Sequence, residues 1–293
     1  MRIAHLSDLH FAKPSFGLGQ FFSKRWLGNL NTLTRRGKAY CNELPFKLIP
    51  FLKQLEVQMC LITGDFTSTA NEQEFALAKQ FTQALDNAHI AWFAIPGNHD
   101  CYTAQNMREK TFYNSFPDQF KTSSFRLSDA RVTDGPLCEG WWLVALDTTL
   151  ATPLISSEGH FPKSLEKQLP TLLAHIPKGQ KVLMMNHFPF FQHESKKRRM
   201  QRGSSLQTLL ENSPSIQLYL HGHTHRLCLA DLRSSHLPIV LDSGSAAHHM
   251  LSSFNLLDLK PNTCDVNVYH WNDTGWHCIQ KEAFSWLSGT KKD

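Results

Sequence analysis

Apolar residues in this chain come in short runs that stop at polar ones. Ile3–His10 (IAHLSDLH), Met59–Asp65 (MCLITGD), Ala91–Asp100 (AWFAIPGNHD), Trp141–Thr149 (WWLVALDTT), Val182–Pro189 (VLMMNHFP) and Gln217–His225 (QLYLHGHTH) all follow this pattern. Their length and content predict buried strands. Helical spacing lies between several of them, over Phe46–Val57 and most clearly over Glu72–Ala88, which Asn71 is placed to cap. Ser164–Ala174 predicts a further helix that Pro170 should kink or split. Such alternation of strand and helix predicts an α/β fold with a largely parallel core.

After about Pro238 the pattern changes. PIVLDSGSA, SFNLLDLK, DVNVYHWN and WHCIQKE are strand-like and are joined by the turn sequences KPNT and NDTG. A β-rich finish from about residue 237 is expected to complete a second sheet antiparallel, within a single domain spanning residues 1–293.

Composition narrows the class. At 293 residues and 41% hydrophobic, the chain can bury a sizeable core. It contains no run of about 18–20 apolar residues able to span a bilayer. Asp8 and His10 break any secretory apolar stretch at the start, so a soluble, cytoplasmic protein is expected. The seven cysteines are scattered without a Cys-x-x-Cys pair, which argues against a disulfide framework or a structural zinc site. A net charge of +5 favours anionic partners only weakly. It does not indicate specific nucleic-acid binding, and nothing in the pattern bears on oligomeric state.

Candidate chemistry sits at the strand ends, where open α/β sheets form their ligand sites. They carry Asp8 and His10, then Asp65, then Asn98, His99 and Asp100, then Asn186 and His187, and finally His223 and His225. Asp8-x-His10 alone could cap a strand, and Gly64-Asp65 alone is an ordinary turn. Gly97-Asn98-His99-Asp100 is more telling, because a turn does not require histidine. Oxygen and imidazole donors without thiolate suit Mn, Fe, Zn or Co.

Together, DLH at 8–10, GD at 64–65, GNHD at 97–100, NH at 186–187 and GHTH at 222–225 resemble the calcineurin-like metallophosphoesterases. The resemblance runs from Met1 to about Ala246. It implies a four-layer αββα sandwich of two mixed sheets flanked by helices, with a dinuclear site at the strand ends. Two divalent or trivalent transition-metal ions would be bridged by Asp65. Asp8, His10 and His225 would complete the first site; Asn98, His187 and His223 would complete the second. His99 would be catalytic beside the metals, with Asp65, in hydrolysis by attack of a metal-bridging hydroxide on a phosphate-ester substrate. Two cations about 3.5–4 Å apart lower the pKa of water and clamp both ends of an in-line displacement. Asp100 and His221 are expected behind the ligands. His5, His248 and His249 are read the same way, although the last two could reach the site. Asp147 is not expected to be catalytic.

The family acts on phosphoproteins, cyclic nucleotides, nucleic acids, dinucleotides and lipid-linked pyrophosphates. The stretch from Gly159 through Pro189 is similar to the bacterial cyclic-nucleotide phosphodiesterase branch, which favours a phosphodiester. Two stretches lie outside the resemblance. In an amphipathic basic insertion at about 13–43, Leu18, Phe22, Trp26, Leu30 and Leu33 form an apolar helical stripe beside Lys24, Arg25, Arg35, Arg36 and Lys38. The stripe fits either a helix packed on the domain or an interfacial lid with Phe21, Phe22 and Trp26 exposed. A lid would suit a pyrophosphatase acting on a lipid-linked nucleotide, in peripheral contact with the anionic inner face of the membrane. The second stretch, Lys196–Arg202, is either a solvated loop or an extension of that basic rim. A catalytically silent binding module is the reading from another class, and the intact motif set argues against it.

Overall fold

Every one of the six apolar runs forms a strand in the computed structural model, which describes residues 1–13, 28, 39–117, 123–153, 156–191 and 194–286. In chain order the strands begin with β1 (Arg2–Leu6), β2 (Met59–Ile62), β3 (Ala91–Ala94), β4 (Val132–Cys138), β5 (Trp141–Leu146), β6 (Gly159–His160) and β7 (Lys181–Met185). They continue with β8 (Met200–Gln201), β9 (Ile216–His221), β10 (Leu227–Asp231), β11 (Ile239–Ser243), β12 (Ser253–Lys260), β13 (Thr263–Asn272) and β14 (Gly275–Ser285). The longer helices are α1 (Leu44–Gln54), α2 (Glu72–Asn87), α3 (Lys163–His175) and α4 (Gly203–Glu211).

Two six-stranded mixed sheets form, ordered β14-β13-β12-β1-β2-β3 and β10-β11-β9-β7-β5-β4, with β6-β8 as a small separate pair. Side chains alternate across each strand, so each sheet has two apolar faces to cover. Ile3, Leu61, Leu257 and Val266 of the first sheet meet Leu143, Leu183, Leu218 and Leu241 of the second. Ala4, Leu6 and Ile62 point the other way, onto Leu48, Leu52, Phe75 and Leu85 of α1 and α2. Val182, Met184 and Tyr219 likewise face Leu165, Leu169, Leu206 and Leu210 of α3 and α4. Helix, sheet, sheet and helix therefore stack in four layers.

Helix α2 starts as its sequence indicates. The Asn71 side chain accepts from Glu74 N, while Glu74 reaches back to the Asn71 amide, so two otherwise unpaired donors are satisfied. Helix α1 starts two residues earlier than Phe46 and ends at Gln54, because Glu56 takes a left-handed conformation at φ 54°. Helix α3 runs through Pro170 without splitting, with Leu165 and Leu169 before the proline and Leu172 after it all buried on one face. The C-terminal finish differs from expectation. Only β11 enters the second sheet, and it lies parallel to β9. Strands β12, β13 and β14 return antiparallel to the first sheet, where β12 pairs with β1 at Ile3↔Leu257. The reason is local: on the far side of β1, β12 can bury Leu257 and Leu259 between the sheets, a choice that alternation alone does not make.

Among the described residues no helix is long and apolar enough to cross a membrane. The apolar stripe from Leu18 to Leu33, including Phe21, Phe22 and Trp26, lies outside the described residues.

Candidate metal centre

Strand pairing continues past the strand ends and places the motif residues. Asp8 N donates to Gly64 O at 3.0 Å, His10 N to Asp65 O at 2.9 Å and Phe11 N to Phe66 O at 2.8 Å. The loops after β1 and β2 thus stay in register and bring Asp8, His10 and Asp65 side by side. On the second sheet, Gly222 N donates to His187 O at 3.0 Å, which seats the loop after β9 on the loop after β7. Across the seam between the sheets, His223 N donates to Asp8 Oδ2 at 3.0 Å.

The backbone bends sharply here. Asp8, His10, Asp65, His223 and His225 all have positive φ, between 44° and 70°. Non-glycine residues adopt this region at a cost of order 1 kcal/mol or more each. Gly222 packs tightly on the loop after β1, since a Cβ there would lie 1.8 Å from Ser7 Oγ and 2.5 Å from Asp8 Oδ2. Gly222→Ala should therefore displace the Asp8 carboxylate and weaken metal binding by about 10–100-fold. Chelator competition against a loaded sample measures this, and wild-type affinity would show that the loop yields without moving Asp8.

All seven candidate ligands converge. Donor atoms of Asp8, His10, Asp65 and His225 lie within 4.8 Å of one another. Asp8 Oδ1 is 3.0 Å from His225 Nε2 and 3.4 Å from His10 Nε2, and those two nitrogens are 3.0 Å apart. Beside this group, Asn98 Oδ1 is 2.8 Å from His223 Nδ1 and 3.2 Å from His187 Nε2. Asp65 stands between the two groups: its Oδ2 is 3.8 Å from His10 Nε2 and 3.5 Å from His187 Nε2. Its Oδ1 is turned away and accepts the His99 amide at 2.7 Å.

The donor set fits cations on three grounds. First, Asp8 Oδ1 is buried and receives no hydrogen bond. Second, protein carbonyls set the imidazole tautomers. His187 Nδ1 faces Thr63 O at 2.7 Å, His223 Nε2 faces Arg198 O at 2.9 Å and His10 Nδ1 faces Thr67 O at 3.4 Å. A carbonyl only accepts, so each of these nitrogens carries the proton and the other ring nitrogen offers a lone pair to the centre. Third, the charge states are those that metal ligation needs. Burial lowers the pKa of His187, and burial together with the neighbouring His187 holds His223 well below its ordinary value. Burial alone would raise the Asp8 carboxyl, but His225, His10 and His187 outweigh it and hold the group well below the usual carboxylate range.

Around the ligands, Asp100 accepts from Phe66 N, Thr67 N and Gly97 N at 3.2, 2.9 and 2.9 Å, tying the Asp65 loop to the Asn98–His99 loop. Burial nevertheless pushes its carboxyl up to about 6. His221 is buried beneath the centre, with Nδ1 3.4 Å from Asp242 Oδ2. Asp242 in turn accepts from Thr224 Oγ1 at 2.5 Å, bracing the ligand loop. His5 Nε2 is 3.0 Å from Thr63 Oγ1 between the sheets. His99 Nδ1 is 2.6 Å from Ser68 O, and its ring stacks on Tyr102. Asp147 accepts from Tyr113 and Arg131, a structural network. His248 Nδ1 accepts from the turn amides of Met250 and Leu251; the His249 backbone amide donates to Ala39 O.

Two features have no motif behind them. Tyr40 Oη is 2.7 Å from His225 Nδ1, and the loop containing Arg198 closes over His223. Both contacts depend on tertiary folding of segments whose sequence shows only charge and amphipathicity.

The model of the calcineurin-like phosphoesterases matches residues 1–227, which contain every candidate ligand. Among solved structures, a dimetal phosphatase from Danio rerio is similar over 97% of this chain and 98% of its own, with 12% identity and a TM-score of 0.65. The purple acid phosphatase PPD1 from yellow lupin (Lupinus luteus) is similar over 97% of this chain and 53% of its own, with 11% identity and a TM-score of 0.63. No curated protein matches the chain in sequence. At such identities the two structures speak for the four-layer architecture alone. The family match, over more than three quarters of the chain and all the strand-end motifs, goes further: the chain belongs to the calcineurin-like phosphoesterases, a family that implies a dinuclear divalent-metal site.

Proposed function

We propose that the chain is a two-metal phosphoesterase that hydrolyses a phosphodiester, a cyclic nucleotide or a similar compound. Asp8, His10, Asp65 and His225 hold one ion; Asp65, Asn98, His187 and His223 hold the other. The position of Asp65 carries this reading, because its Oδ2 faces a nitrogen of each ligand set while Oδ1 is occupied elsewhere. Bound cations supply a water of lowered pKa and neutralise phosphate oxygens. The chain's own groups do the rest. Ser68 O fixes the His99 ring with the proton on Nδ1. His99 Nε2 is thereby the atom that exchanges a proton with the phosphate or its leaving oxygen, and the stack on Tyr102 keeps the ring in place.

A second reading, hydrolysis of a lipid-linked nucleotide pyrophosphate at an anionic membrane surface, is favoured by the rim. On the His223 side Arg198 and Arg226 are exposed, and both lie near Glu194 at 3.8 Å. On the His225 side the turn after His248 exposes Met250 at 74% and Leu251 at 59%. Exposed basic residues near His223 and an exposed apolar turn near His225 suit an anionic amphiphile. A silent binding module would have no use for neutral imidazoles locked toward a common centre.

One panel separates these readings. Mn²⁺-loaded protein is offered phosphomonoesters, cyclic nucleotides, dinucleotides and lipid-linked pyrophosphates, and turnover is followed by phosphate or nucleotide release. Cyclic-nucleotide cleavage that is insensitive to anionic vesicles supports the first reading. Turnover of the lipid pyrophosphate alone, with vesicle binding that weakens with salt, replaces it with the second and with a peripheral location. Metal-loaded protein inert toward the whole panel would sink both.

A further inference from the structure

We propose that Tyr40 is a positioning residue for the first ion, and that its hydroxyl holds the His225 ring in whichever tautomer the presence or absence of that ion requires. The inference rests on the metal-centre reading above. Three of the four candidate imidazole ligands are held by backbone carbonyls, which accept only and so fix one tautomer. His225 is different. Its Nδ1 meets the Tyr40 hydroxyl at 2.7 Å, and its side chain is 24% exposed where those of His10 and His187 are essentially buried.

A hydroxyl can donate as well as accept, so it serves two states of the ring. With a cation present, Nε2 gives its lone pair and Nδ1–H donates to Tyr40 Oη. With no cation, Tyr40 can turn its proton onto Nδ1, leaving Nε2–H to donate to His10 Nε2, 3.0 Å away. The carbonyl-held rings have no such alternative. Tyr40 therefore lets the first site, with no cation bound, turn a ring proton inward toward the His10 lone pair. The phenol is itself well anchored. Tyr40 bridges His248, Cys41 N donates to Ala247 O at 2.9 Å and His249 N donates to Ala39 O at 2.7 Å. Its ring also meets His10 edge-on at 4.9 Å.

Tyr40→Phe keeps the ring and this packing while removing the hydroxyl. Full-length protein loaded with Mn²⁺ is titrated with a graded chelator, and bound metal is counted by elemental analysis. The wild type should release its two ions at two chelator strengths. In Tyr40→Phe the more readily lost ion should leave at about 10–100-fold lower chelator, the usual reach of a group that orients a ligand. The second ion should leave as in the wild type. The Mn²⁺ concentration for half-maximal activity should rise by the same factor, with kcat at saturating Mn²⁺ within about threefold. In a His225→Ala background, adding Tyr40→Phe should shift release of the remaining ion less than about twofold, as expected if the hydroxyl acts through His225. Tyr113→Phe removes a phenol hydroxyl that bonds Asp147, not a candidate ligand, and serves as the control with unchanged release. Two ions released by Tyr40→Phe as by the wild type, or both weakened equally, would overturn the inference and leave the metal reading standing. Wild-type protein that retains no Mn²⁺ would overturn both.

Discussion

Asp65→Asn should strip the centre of metal and lower turnover by at least about 10³-fold. The His99 amide must still find an acceptor at Asp65 Oδ1, 2.7 Å away, so an amide side chain would turn its NH₂ toward His10 and His187. Two lone pairs would then face two donors, and one negative charge between two dications would be lost. A unit charge pair at 4 Å is worth roughly 4 kcal/mol in a partly screened protein site, which is about 10³-fold. Elemental analysis and turnover on the same preparation check both parts of the expectation. Wild-type metal content would remove Asp65 from its bridging position, whatever the rate.

His99→Ala should produce the opposite pairing of results: full metal content with a rate lower by about 10²–10⁴-fold, the usual contribution of a positioned proton-transfer group. The His99 backbone amide donates to Asp65, and alanine retains that bond. What alanine removes is the ring held between Ser68 O and Tyr102. A substrate whose leaving group departs without a proton should lose much less rate in this variant. Loss of metal from His99→Ala would place its ring among the ligands and undo the division of roles.

Much of this centre could be read from the strand-end motifs because each pairs a chemical requirement with a turn. DLH, GNHD and GHTH name their donors directly, whereas the close approach of Gly222 to Ser7 and Asp8 is visible only in the fold. The four layers follow from runs that bury both faces of each strand. Other features depend on partners distant in sequence. Whether β12 joins the first or second sheet is decided by the far edge of β1, and alternation within Ser253–Lys260 is the same in either place. The left-handed turns at Asp8, His10, Asp65, His223 and His225 fall on residues with no intrinsic need for them. Tyr40 is separated from His225 by 185 positions, and pairing of residues 39–41 with residues 247–249 brings them together. The Arg198 carbonyl is invisible in sequence because any residue would supply it.

The seven candidate ligands come from both sheets, with Asp8, His10, Asp65 and Asn98 following β1, β2 and β3, and His187, His223 and His225 following β7 and β9. Neither ion can therefore be held by one sheet alone, and the first set spans residues 8 to 225. No partly folded chain that lacks β9 has a complete site to offer. Cations held by this set would be captured after the seam has closed, with their binding energy absent from the folding transition state. Loading is therefore expected to slow unfolding and to leave the folding rate where the apoprotein sets it, which stopped-flow folding with and without Mn²⁺ checks.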